Sequence, residues 1–121
     1  MKWQFSADAP IYTQLVAQIQ MYIVSGALPP GERLPSVREF AAEAGVNPNT
    51  MQRAMAQLEQ DGLAVANRTA GRTVTEDAAV IQEARRARAM AAVAECLRVL
   101  ADLGYAPEEA AEIIREGLNH E

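Results

Sequence analysis

The chain has 121 residues, half of them hydrophobic and 22% charged, with a formal net charge of −5. That length and composition suit one compact domain, or a small domain with an appended helical piece, and exclude a disordered chain. One cysteine, Cys96, and one histidine, His120, exclude an internal disulfide, a thiolate zinc site and a Cys-x-x-Cys redox pair. Cys96 reads as a small buried side chain, and no metal or cofactor is expected. With no signal peptide and no apolar run of about 18 residues, the sequence reads as cytoplasmic, without membrane contact.

Acidity of this size argues against a nucleic-acid partner until its distribution is considered. Residues 1–75 hold six basic and six acidic side chains, whereas residues 76–121 hold five arginines against ten carboxylates. The chain is electrically two parts, and the negative charge belongs to the second.

In chain order, DAPIYTQLVAQIQMYIVSG predicts a first helix, opened at Asp8 and Pro10 and closed at Gly26. Ile11, Leu15, Ile19, Tyr22 and Ile23 recur at helical spacing and form its buried stripe. Pro29, Pro30 and Gly31 break the helix, and residues 32–34 can make a very short strand. SVREFAAEAG predicts a short second helix with a Ser36–Glu39 capping box, Val37, Phe40, Ala41 and Ala44 inward, and Arg38 outward. A third helix follows at once, with Asn47 as N-cap, Pro48 as first helical residue, and Met51, Ala54, Met55 and Leu58 as the buried stripe. LAVANRTAGRTVT predicts two short strands about a turn at 69–71, with Leu63, Val65 and Val74 as the apolar positions. A long helix over 76–104 with acids in its first turn, and a last helix over 106–118, complete the chain.

A short helix, a tight turn, a second helix and a hairpin make a winged helix-turn-helix. The expected architecture is mainly α with a small β-hairpin wing: residues 1–75 as the DNA-binding domain and residues 76–121 as a helical dimerisation or effector region. The start of the third helix has nothing greasy to bury, which is what a helix presented to a major groove requires. Asn49 and Gln52 carry amides that both donate and accept, and Arg38 and Arg53 can meet guanine or phosphate. The N–H groups opening the helix can bind a phosphate. In the wing, Gly71 permits close approach, flanked by Arg68 and Arg72.

PIYTQL, GALPPGERLPSVREFAAEAGVNPNTMQRAMAQLEQDGL and the short Gly-Arg wing resemble the DNA-binding domain of GntR-type bacterial transcription regulators, over about residues 8–75. NPNTMQRA, with only two helices after the wing, is similar to the YtrA-type subfamily. The resemblance implies a dimer, usually a repressor and often of a transporter operon. It places DNA contacts on Ser36, Arg38, Pro48, Asn49, Thr50, Gln52 and Gly71. Many members carry arginine where Pro48 stands, so base preference should differ here, and the wing is poorer in basic residues than many.

Several of these residues have a plainer reading. Asn47 can act as a cap alone. Arg33 either touches DNA or pairs with an acid such as Glu32 or Glu39, and Arg53 either touches DNA or turns toward Glu59 or Asp61. Arg85, Arg86 and Arg88 read as a solvated face. Ala84, Ala87, Ala91, Ala94, Leu97 and Leu100 form a long stripe, joined by Ile113, Ile114 and Leu118 on the last helix. A head of this size cannot cover such a stripe, so a second copy is expected to, giving a homodimer that reads an inverted-repeat operator in double-stranded DNA. No catalytic set of residues is present. The competing function is a protein-interaction or antitoxin-like adaptor module, which would place hydrophobic or acidic residues on the groove-facing surface.

Overall fold

The computed structural model describes residues 1–120. Its elements run α1 (Ile11–Val24), α2 (Val37–Ala44), α3 (Pro48–Gln60), β1 (Ala64–Asn67), β2 (Gly71–Val74), α4 (Ala78–Asp102) and α5 (Pro107–Asn119). The chain divides into two units, Met1–Arg85 and a second beginning at Arg86, a division that falls inside α4.

The core of the first unit joins Leu15, Ile19 and Ile23 of α1 to Phe40 and Ala41 of α2 and to Met51, Ala54, Met55 and Leu58 of α3. Both α1 and α2 pack on α3. Ile11, expected inside, is 36% exposed, because it sits in the first turn of α1 at the rim of the core. The Ser36–Glu39 capping box forms as expected: Glu39 N–H donates to Ser36 Oγ at 3.2 Å and Ser36 N–H to Glu39 Oε1 at 3.1 Å. Gly45 closes α2 with φ 73°, a left-handed conformation that lets the chain turn at once into α3. Asn47 Oδ1 then accepts from Asn49 N–H at 2.8 Å, and Pro48 opens α3.

The hairpin pairs antiparallel from Ala64↔Val74 to Asn67↔Gly71. Opposite residues share a face, so Ala64 is buried with Val74 while Val65, opposite Thr73, is 43% exposed, contrary to expectation. The short strand expected at 32–34 is a single bridge, Arg33↔Thr73, reinforced by Leu34 N–H to the Arg72 carbonyl at 2.8 Å. Pro35 has no N–H with which to continue it.

Asp8, expected to open α1, lies ahead of it, since the helix begins at Ile11 after Pro10. The seven residues before Asp8 carry no expected element, yet they are tied down. Trp3 makes edge-to-face contacts with Tyr22 and Phe40, at centroid distances of 5.7 and 5.6 Å. The Gln18 amide accepts from Gln4 N–H and donates to the Gln4 carbonyl, and Gln14 does the same for Ser6. Two side-chain amides thus stand in for a neighbouring strand.

Glu76 and Asp77, expected in the first turn of α4, precede it; Asp77 Oδ1 caps it by accepting from Ala79 N–H at 3.0 Å. In the second unit α4 and α5 are joined through Gly104, and Glu109 accepts from Ala106 N–H at the start of α5. Ala110 is the buried residue of α5, with Ile113 and Ile114 half-buried. No residue of α4 is fully buried. Met90, Val93 and Leu97 are about half exposed, and Cys96, expected to be buried, is exposed too. The described residues of α5 leave that side of α4 uncovered. Arg98 pairs with Glu95 and Asp102 on the same helix, at 2.6 and 2.7 Å.

Candidate nucleic-acid interface

The exposed start of α3 is built by its two ends of packing. Met51, Ala54, Met55 and Leu58 bury one face, while Pro48, Asn49, Gln52 and Arg53 remain exposed and Thr50 is half-buried. Arg38, second residue of α2, is exposed beside the Ser36 cap. The hydroxyl of Ser36 accepts from the Glu39 N–H within the capping box. Asn47 spends its side-chain oxygen as the cap of α3.

The helix-start N–H groups are less available than the sequence suggested. Pro48 has none, that of Asn49 is held by Asn47 Oδ1, and that of Met51 by the Asn47 carbonyl at 3.1 Å. A phosphate there must rely mainly on side chains.

The arginines are disposed unequally. Arg53 turns neither to Glu59 nor to Asp61: its guanidinium carbon lies 3.7 Å from the centroid of the Tyr12 ring. Asp61 accepts from Gln57 at 2.9 Å instead, and Glu59 takes Arg72 Nε at 2.5 Å. Arg72, expected to face DNA, is therefore half-buried against the last turn of α3, and it ties the wing to that helix. Arg68 is exposed in the wing turn. Gly71 has φ 71° and no atom within 4 Å of where a Cβ would stand, so backbone conformation, not crowding, calls for glycine. Between the start of α2 and the wing runs a recess of about 360 Å³, lined among others by Arg33, Ser36, Asn67 and Gly71.

Arg33 makes no ion pair with Glu39 within 4 Å among the described residues, but its charge reaches it. Ser36, through its backbone and then its side chain, and then Arg33 hold the Glu39 carboxyl below its ordinary value of 4.5. A lowered folded-state pKa contributes stability that is present above the unfolded value and lost as pH falls through the folded one. We expect Ser36→Ala to raise the Glu39 midpoint toward 4.5, followed by NMR titration of its side-chain carboxyl, and to weaken the acid dependence of unfolding above that midpoint. An unchanged midpoint would mean that the Ser36 hydroxyl does not help to set it.

Residues 11–74, from the start of α1 to the end of β2, match the family described as "Bacterial regulatory proteins, gntR family". The chain belongs to the GntR family. It is 35% identical over 112 residues, 93% of each chain, to YhcF of Bacillus subtilis (strain 168), an HTH-type transcriptional regulator. It is 38% identical over 72 residues to the HTH-type transcriptional repressor YtrA of the same organism, covering 60% of this chain and 55% of YtrA. A GntR family transcriptional regulator from Listeria monocytogenes superposes with a TM-score of 0.83 at 33% identity, over 93% of this chain and 98% of its own. This member of the GntR family is accordingly a DNA-binding transcription regulator with a winged helix-turn-helix fold. The family is one of bacterial regulatory proteins. Among the described residues no helix is long and apolar enough to cross a membrane, and no three His, Cys, Asp or Glu side chains cluster as metal ligands.

Sequence reasoning missed two features of this surface. One is Tyr12, which has no polar pattern to single it out and enters only because α1 packs on α3. The other is Glu59, which lies 13 positions before Arg72 and meets it only through the hairpin.

Proposed function

We propose that this regulator binds an inverted-repeat operator in cytoplasmic DNA as a homodimer and represses the genes beside it. The observation that carries the reading is the open start of α3, where Pro48, Asn49 and Gln52 stand exposed above a helix otherwise anchored by methionine and leucine. Amides there match the donor and acceptor pattern of adenine in the major groove. Arg38 and Thr50 flank them, with Ser36, Arg33, Arg68 and Gly71 as the outer contacts, and Asn47 acting through its cap. An adaptor would need an apolar or acidic surface at this place. The YtrA-type likeness supports a transporter operon as target, which a genome-wide binding map checks.

Dimerisation is supported by the half-exposed apolar side chains on α4. The proposed stripe is Ala87, Ala91, Ala94, Leu97 and Leu100 with Ile113, Ile114 and Leu118 of α5; Ala84 instead packs against the core of the first unit. Two copies about a two-fold axis would read half-sites about one helical turn apart.

The test uses a duplex selected by the full chain from random DNA. Arg38→Ala is expected to cost about 1–3 kcal/mol of specific binding. Gln52→Ala should relax preference at one base pair and leave the salt dependence nearly unchanged. Undiminished affinity of Arg38→Ala in a gel-shift titration, or a footprint without a dyad, would refute this docking.

A further inference from the structure

We propose that Tyr12 is a positioning residue for DNA binding: its ring holds the Arg53 guanidinium flat, so that the guanidinium edge meets one phosphate of the duplex beside the start of α3. The inference rests on the DNA-binding reading above and adds to it a residue outside the helix-turn-helix and wing.

Tyr12 is the second residue of α1 and is half-buried, so its ring is held by the packing of α1 on α3. With the guanidinium carbon 3.7 Å from the ring centroid, the contact uses the face of the cation and consumes none of its N–H groups. A guanidinium stacked on a ring keeps the N–H groups in its own plane for an acceptor such as two oxygens of a phosphate. The carboxylates that could compete from α3 and its cap are engaged, Glu59 by Arg72 and Asp61 by Gln57.

Asn49 and Thr50 lie four and three positions before Arg53 and share its side of the helix. With Pro10, Ile11 and Tyr12 these three line a shallow recess of 430 Å³, and none of the six is acidic. The recess is therefore suited to an anion. Arg53 stands about 7.5 Å along the helix axis from Pro48, by the rise of an α-helix. That sets it back from the tip that would enter the groove and level with a backbone wall, which favours phosphate over a base edge.

The experiment measures affinity for the selected duplex across a salt series. Arg53→Ala should lower affinity, flatten the slope of log K against log salt by about one, and leave base preference unchanged. Tyr12→Leu should weaken binding about three- to tenfold in the wild-type background and have no effect in the Arg53→Ala background. Tyr12→Phe, which keeps the ring, should bind like the parent. Equal losses from Tyr12→Leu in both backgrounds would overturn the proposal, as would a changed base preference in Arg53→Ala. Should Tyr12→Leu fail to fold, Arg53→Lys decides: it keeps the charge without the planar face, and full affinity would refute the stacking role. Arg38→Ala separates the two readings. If it weakens binding while Tyr12 and Arg53 variants do not, only the Tyr12 inference falls. If no duplex is selected at all, both fall.

Discussion

Leu97→Asp is expected to make the protein monomeric at micromolar concentration and to lower its affinity for the selected duplex by about two to four orders of magnitude. Leu97 is 42% exposed, and it borders a mostly apolar recess of about 340 Å³ with Ala94, Ala101, Tyr105, Pro107, Ala110 and Arg98, whose charge is already taken by Glu95 and Asp102. In a dimer through this face the aspartate would be buried without a partner, which costs several kcal/mol. In the single chain it would be hydrated, so helix content should be preserved. A lone head keeps its own DNA contacts and loses the benefit of a second head tethered to it. Sedimentation velocity with anisotropy titration reads both effects. A Leu97→Asp dimer would place the interface elsewhere, and a monomer with full affinity would mean that binding does not draw on a second head.

Phe40→Ala should remove about 3–5 kcal/mol of stability, the usual range for emptying a buried aromatic position. Against about 5–15 kcal/mol for a typical domain, that is a large fraction. Phe40 is fully buried where α2 meets α1 and α3. It also supports Trp3, so the loss would reach the N-terminal segment. Trp3 is the single tryptophan, and its emission reports the site directly. The native variant should emit to the red of the parent and unfold at lower urea. A midpoint within about 1 kcal/mol of the parent would mean that the cavity collapses at little cost.

The helices and the helix-turn-helix were legible because their signals are local. A capping box spans four residues, a cap with proline spans two, and a stripe such as Met51, Ala54, Met55 and Leu58 repeats every three or four. The wing was only partly legible. Leu63, Ala64 and Val65 form a continuous apolar run with no alternation, so the face of Val65 depends on pairing with Thr73, which sequence does not state. The N-terminal segment was not legible, because Gln14 and Gln18 hold it by side-chain amides that carry no periodic mark. The expected burial of Cys96 followed average behaviour of cysteine, whereas its position on α4 is exposed. At the interface, Arg38, Asn49 and Gln52 could be named from position and chemistry. The commitments of Arg53 to Tyr12 and of Arg72 to Glu59 could not, since each joins elements through tertiary packing.

The side chains of α3 are split by task along its length. Those that anchor the helix are apolar and hidden, while the side chains of Asn49 and Gln52 are exposed. Exchanging them leaves the anchoring layer intact. A lineage carrying this fold after gene duplication could therefore alter which operator it prefers one residue at a time, with folding indifferent to each step. Arg53, held by Tyr12, has no such freedom, so on the proposal above its grip on the backbone would be inherited while the reading head diverged.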